Sequence, residues 1–165
     1  MSNLKSLTHG NVEIDEVARL IFEYLMTKSS GEDNHIVIGT DSQNFSDTKV
    51  VAVIAIYTEG KGGKFFYDVT RVKKIMNVQQ KLHMETAMSL EYADKLITEL
   101  DKLKSEAGFD YNKHCSIGIH VDAGYNGKSG VVIPELVGWI TAMGYDVCVK
   151  PESFVASTIA DRISK

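Results

Sequence analysis

Four acids, Asp41, Glu85, Asp122 and Asp161, stand at places from which a fold could bring their carboxylates to one point. Carboxylates that share a site raise one another's pKa and repel unless a cation lies among them. The set therefore points to divalent-metal chemistry. Asp41 ends the apolar run Ile36-Val37-Ile38-Gly39-Thr40 and is followed by Ser42 and Gln43. Asp122 repeats that setting after Ile117-Gly118-Ile119-His120-Val121 and before Ala123 and Gly124. An apolar strand that ends on an acid presents a carboxylate at its carboxyl end. Each of these two acids also suits a turn, where an Asp side chain accepts backbone N–H bonds.

The helix acids carry an open choice. Glu85 lies beside an apolar stripe and Glu91 is its rival; either also suits a solvated helix face. Asp161 follows the small residues Ala156, Ser157 and Ala160, which allow close approach of another element; it equally suits a surface acid paired with Arg162. His120 shares a strand face with Asp122 by period-two alternation and is read as a hydrogen-bonded structural residue. Gly127-Lys128-Ser129 invites comparison with a phosphate-binding P-loop, but Asp122 stands where that motif needs its first glycine. The loop still offers Lys128 to a phosphate. Arg71, Lys73, Lys74 and Lys81 form a basic cluster, either an ordinary solvated face or a contact for a phosphate backbone.

The elements that position these residues follow from periodicity. Residues 12–30 hold an amphipathic helix with Val17, Leu20, Ile21, Tyr24 and Leu25 on one side. Strands are expected over 36–40, 49–58 and 65–72, joined by the polar turn 44–48 and the glycine-rich loop 59–64. Short loops make these three an antiparallel meander. Residues 79–104, free of Gly and Pro, read as a long helix striped by Met84, Met88, Tyr92, Leu96, Leu100 and Leu103 and ended by Gly108. A strand over 115–121, a helix from a Ser129 cap to about Met143, a strand over 145–149 and a helix capped by Ser153 complete the chain. Strands separated by helices add in parallel. The expectation is one α/β domain over 1–165: a five-stranded mixed sheet, three strands of meander and two parallel, flanked by helices. Ligands of such sheets gather at the carboxyl ends of adjacent parallel strands, here Asp41 and Asp122.

The bulk numbers set limits. The chain has 165 residues, 44% hydrophobic and 24% charged, as one soluble domain requires. No apolar run approaches the roughly 18 residues that span a bilayer. With no signal-like N-terminus, a cytoplasmic protein with no membrane partner is expected. Cys115 and Cys148 match no metal or redox spacing and read as buried, reduced thiols. A net charge of −4 argues against a broad basic coat for nucleic acid, but not against local Lys and Arg clusters.

The acids and element order resemble the ribonuclease H-like superfold. Thr40-Asp41-Ser42 is similar to its first-strand acid, His83-Met84-Glu85 to the acid early in its long helix, Asp122 to its fourth-strand acid and Asp161 to the acid of its last helix. More closely, Ile38 to Gln43, His120-Val121-Asp122 with Asn126-Gly127-Lys128, Lys150 to Ser157 and Ala160-Asp161-Arg162 resemble the bacterial YkuK-like family, ribonuclease H-like proteins without an assigned activity. The resemblance covers residue 12 to the end.

What it implies is a two-metal site for phosphodiester cleavage in nucleic acid. Asp41 would bridge two Mg2+ or Mn2+ ions, Glu85 and Asp122 would complete one and Asp161 the other. Hard carboxylates favour these ions over Zn2+. Lys150 would stabilise charge on the phosphate, or else is a surface lysine. The substrate, whether RNA, DNA or hybrid, is left open, since no Trp- and Lys-rich protrusion for gripping a hybrid stands out. A catalytically silent ribonuclease H-like module that binds nucleic acid or protein is the alternative.

Overall fold

The computed structural model describes residues 4–28 and 32–150. The expected last helix, with Asp161, lies outside the described residues. One mixed sheet organises the chain. Its strands are β1 (Lys5–Ser6), β2 (Gly10–Asn11), β3 (Asn34–Asn44), β4 (Thr48–Thr58), β5 (Gly62–Val72), β6 (Ser116–Val121) and β7 (Asp146–Cys148), in the spatial order β2-β1-β5-β4-β3-β6-β7. The helices are α1 (Ile14–Met26), α2 (Val78–Ala107) and α3 (Ile133–Ala142).

The expected meander and parallel strands are present, but the sheet has seven strands rather than five. The extra pair comes from the N-terminal segment. Leu4 and Val12 are buried anchors, and the Val12 N–H donates to the Leu4 carbonyl at 2.9 Å. Between them a polar ribbon pairs Lys5 with Asn11 at the sheet's edge and, inward, with Tyr67 of β5. Strands of two residues carry too little alternation to be read from sequence.

The meander strands are also longer than expected. β3 runs three residues past Asp41 because Asp41, Ser42, Gln43 and Asn44 pair with Val51, Val50, Lys49 and Thr48 of β4. Partner strands, not local composition, set these limits. Alternation then divides the sheet. Ile36, Ile38, Ile54, Ile56 and Phe66 join the buried faces of all three helices in the main core. Val37, Val51, Val53 and Ala55 form a second apolar cluster with Tyr57, Phe65, Tyr67 and Val69. Each fully buried Leu or Ile in these layers contributes about 1.5–3 kcal/mol of transfer free energy.

α1 buries Val17, Ala18, Leu20, Ile21, Phe22 and Leu25, a stripe of helical period, and carries Asp15 and Glu16 where its dipole favours negative charge. α2 starts at Asn77, whose side chain accepts from the Gln80 N–H, and stops at Gly108, left-handed at φ 68°. Its buried face is Leu82, Glu85, Thr86, Ser89, Leu90, Ala93, Leu96 and Leu100. The stripe expected through Met84 and Met88 is therefore displaced: those two are half-buried flanks. Residues spaced strictly by four drift about 40° per step around a helix of 3.6 residues per turn. Starting from Leu100 and Leu96, that drift carries the stripe off the sheet before it reaches Met84. The two cysteines are free, as expected, but half-buried rather than buried.

Candidate active-site cleft

The parallel ladder between β3 and β6 ends at Thr40 paired with Val121. The next residue on each strand is an acid, Asp41 and Asp122. β3 continues along β4, whereas the chain after Val121 turns away, so a gap opens where the two carboxylates stand. It is a cleft of about 330 Å3, and Asp41, Asp122, Glu85, Lys81, Asn126 and Lys150 all line it.

Each acid is held differently. The Asp41 carboxylate accepts the N–H of the next residue, Ser42, at 3.0 Å, a local bond made within a strand rather than the bond two residues on that forms a turn. The Asp122 side chain is 15% exposed and lies 3.2 Å from the Lys150 ammonium. Lys150 itself is fixed through its backbone, which donates to the Ala123 carbonyl at 2.9 Å. Glu85 reaches the cleft from α2. It is 7% exposed, and the Ser42 hydroxyl donates to its carboxylate.

Burial pushes the Glu85 carboxyl up to about 8; the Ser42 hydrogen bond opposes this, Asp41 and Asp122 add to it, and Lys81 opposes it. Glu85 thus feels both strand acids, as a shared site requires. Glu91 does not take part: it is exposed and pairs with Lys95 at 3.1 Å. His120, beside the acids on β6, is buried, and burial lowers its pKa to about 4, so it is neutral at pH 7.

The structure thus brings together Asp41, Glu85, Asp122 and Lys150 in one cleft. Asp161 lies outside the described residues. Lys128 begins a short 3-10 turn (Lys128–Val131) and is exposed, while its neighbours Asn126 and Ser129 line the cleft. Of the basic cluster, Lys81 lines the cleft, and Arg71 pairs with Asp47 at 2.7 Å. Sequence reasoning missed Ser42. The signal was present: alternation puts Ser42 on the face of Ile36, Ile38 and Thr40, the face that meets α2.

The donor set suits a hard cation. It consists of carboxylate oxygens, with no thiolate or imidazole beside them in the cleft lining. Among the described residues, no three Asp, Glu, His or Cys side chains are close enough together to enclose a metal ion. In this arrangement the negative charge is met within the protein, by Lys150 at Asp122 and by proton retention on Glu85. No helix of the described residues is long and apolar enough to cross a membrane.

Comparison with known proteins agrees with this architecture. A family model described as ribonuclease H-like matches residues 16–165. The uncharacterized protein YkuK of Bacillus subtilis (strain 168) is 32% identical over 137 residues, covering 78% of this chain and 77% of that protein. No solved structure gives a significant match. The chain belongs to the ribonuclease H-like family, in its YkuK-like branch.

Proposed function

We propose that the protein is a divalent-metal-dependent nuclease that cleaves phosphodiester bonds of nucleic acid in the cleft of Asp41, Glu85 and Asp122. Ribonuclease H-like membership supports a function connected with nucleic acid. The observation that carries the reading is the β3–β6 register. It ends one residue before both strand acids, and α2 aims a third carboxylate at the same gap.

Asp41, Asp122 and Glu85, with Asp161 as a fourth ligand, would hold one or two Mg2+ or Mn2+ ions. When bound, such ions supply positive charge to the phosphate under attack. The chain's own residues do the rest. Ser42 fixes the rotamer of Glu85 and favours its ionised form. Lys150, 56% exposed at the cleft mouth, is free to exchange its contact with Asp122 for a phosphate oxygen. Lys81 adds positive charge on the helix side. A cation entering among the acids would draw the proton from Glu85, since a nearby positive charge favours the carboxylate.

One observation favours a second reading, a catalytically silent nucleic-acid-binding module. With Glu85 protonated, the cleft's two carboxylates, Asp41 and Asp122, are already matched by its two lysines, Lys81 and Lys150. Incubation with labelled single strands, duplexes, hybrids and junctions in Mg2+ and in Mn2+ separates the two. Cleavage that disappears in Asp41→Asn and Asp122→Asn supports the nuclease. Binding without cleavage under every condition supports the silent module.

A further inference from the structure

We propose that the cleft belongs to a stacking platform for single-stranded nucleic acid, with Phe45 and Tyr125 as the base-stacking side chains. The proposal rests on the nucleic-acid reading of this site and names its substrate class. Among the described residues, eight large apolar side chains are exposed; four of them, Met76, Val78, Tyr125 and Val131, come from two segments that line the cleft, and a fifth, Phe45, from a turn hydrogen-bonded to the first of these. Exposed apolar surface gathered at one place marks a binding site, whereas scattered residues need no explanation.

The three segments are built to hold these side chains out. Phe45 follows the end of β3, four residues past Asp41 and so about 13 Å farther along the strand direction. Its turn is tied to the connection between β5 and α2. Asn44 donates to the Ile75 carbonyl at 3.0 Å, and Thr48 both donates to Asn44 at 2.7 Å and accepts the Ile75 N–H at 2.9 Å. That connection carries Lys73, Lys74 and Met76 and leads into Val78, which lines the cleft. The Arg71 guanidinium lies 5.7 Å from the centroid of the Phe45 ring, and the residue stays 51% exposed.

Tyr125 belongs to the loop that follows β6 and Asp122. Gly124 and Asn126, its chain neighbours, both line the cleft, while Tyr125 is 60% exposed. The loop closes on itself. Gly127 is left-handed at φ 86°, the Gly130 N–H donates to the Gly127 carbonyl at 3.2 Å, and a Cβ on Gly130 would lie 2.0 Å from the Tyr125 carbonyl oxygen. Backbone packing this close fixes the Tyr125 main chain, and its ring is left exposed.

Cations complete the pattern. Lys81 and Lys150 line the cleft, and Lys73, Lys74 and Lys128 are exposed on the same segments. Lys73, Lys74, Lys81 and Lys128 form no ion pair with a described acid. Aromatic rings interleaved with lysines match single strands, whose bases offer open faces for stacking while the lysines follow the phosphates. A duplex hides those faces. A net charge of −4 argues against a broad basic surface that would hold a duplex by its phosphates alone.

The test is fluorescence anisotropy with short labelled oligothymidylate and oligouridylate, and with a duplex of equal length, in EDTA so that nothing is cleaved. The two single strands separate DNA from RNA. The intact chain is expected to bind at least one single strand more tightly than the duplex. Phe45→Ala and Tyr125→Ala are each expected to weaken that binding by about 5- to 100-fold, the range for loss of one stacked base. Phe45→Trp is expected to retain it. Both side chains are exposed, so unchanged thermal melting checks the fold, and Met143→Ala, at the far end of α3, serves as the exposed apolar control. Equal affinity for duplex and single strand, or alanine variants that bind as the parent does, would overturn the proposal. Loss of binding in the variants of a protein that never cleaves would uphold the platform and remove the nuclease. Cleavage with unchanged KM in both variants would do the reverse.

Discussion

Ser42 and Glu85 join the central strand to the long helix at the rim of the cleft. The Ser42 hydroxyl donates to the Glu85 carboxylate, and both residues are buried. One row lower, Thr40 and Ser89 make the same kind of contact at 2.8 Å. The helix therefore meets the sheet there through polar pairs, where Leu96 and Leu100 meet it through apolar ones. Such pairs contribute little net stability, yet leaving one partner buried alone is costly. They fix the rotation of α2 and so decide which glutamate reaches Asp41 and Asp122.

Ser42→Ala is thus expected to destabilise the protein by about 1–3 kcal/mol at neutral pH, because Glu85 keeps its burial and loses its donor. The Glu85 pKa should also rise above its present value of about 8, since the Ser42 bond lowers it. Urea denaturation measures the first effect. Carbon-13 NMR of the glutamate carboxyls across the pH range measures the second. A Ser42→Ala variant with unchanged midpoint and unchanged titration would show the contact to be energetically idle.

Stability of the metal-free protein should fall as pH rises. Glu85 titrates at about 8 when folded and near its ordinary 4.5 when unfolded. Between these values the folded chain holds a proton that the unfolded chain has released. Its contribution is therefore complete below pH 4.5 and lost as pH passes through 8. His120, depressed from 6.5 to about 4, acts in the opposite direction, destabilising the fold as pH drops below 6.5. The window from 6.5 to 8 is shared by Glu85 and, in the same direction, by His83, whose hydrogen bonds to the Gln79 carbonyl and Glu135 raise its pKa above 6.5. Glu85→Gln, which has no charge to bury, should make that slope shallower and stabilise the protein at pH 8 by about 1–3 kcal/mol. Thermal melts at stepped pH in EDTA report it.

On the proposed nuclease reading, Lys150 and a cation would compete for Asp122. Removing the ammonium 3.2 Å from that carboxylate in Lys150→Ala should raise Mn2+ affinity several-fold. If Lys150 also meets the phosphate, the same variant should cleave more slowly at saturating Mn2+. Asp122→Asn should weaken Mn2+ binding instead. Electron paramagnetic resonance of free Mn2+ follows the affinities without relying on activity. Equal affinity in all three proteins would place the cation elsewhere.

The sequence carried the placement of Asp41 and Asp122 because each closes an apolar strand, and parallel strands in one sheet end together. It could not choose between Glu85 and Glu91. Six residues turn a helix by about 600°, so the two point about 120° apart. Only the phase of α2 on the sheet settles which one is inside, and the four-residue spacing of Met84, Met88 and Tyr92 suggested the wrong phase. Polar Thr86 and Ser89 mark the inner face beside Glu85, but they count as apolar positions only once Thr40 and Ser42 are known to lie opposite. The limits of β3 and the short ribbon of β1 and β2 were likewise set by pairing between distant segments. The expected ligand Asp161 belongs to residues the structure does not describe.

Gly130 provides a check on the loop that carries Tyr125. Its Cα packs against the Tyr125 backbone so closely that any side chain would lie 2.0 Å from the Tyr125 oxygen. Backbone cannot retreat as a flexible side chain can. Gly130→Ala must therefore open the loop, at a cost of about 1–3 kcal/mol for overpacking. The sheet and the helices lie outside this loop, so far-ultraviolet circular dichroism should change little while the midpoint falls. Because Asn126 and Ser129 line the cleft from the same loop, single-strand affinity should fall in Gly130→Ala with Tyr125 still present. Gly127→Ala strains the same loop by another route, its left-handed φ of 86°, and is expected to weaken binding in parallel. Affinity unchanged in both variants would mean that the loop's shape is irrelevant to what the cleft holds.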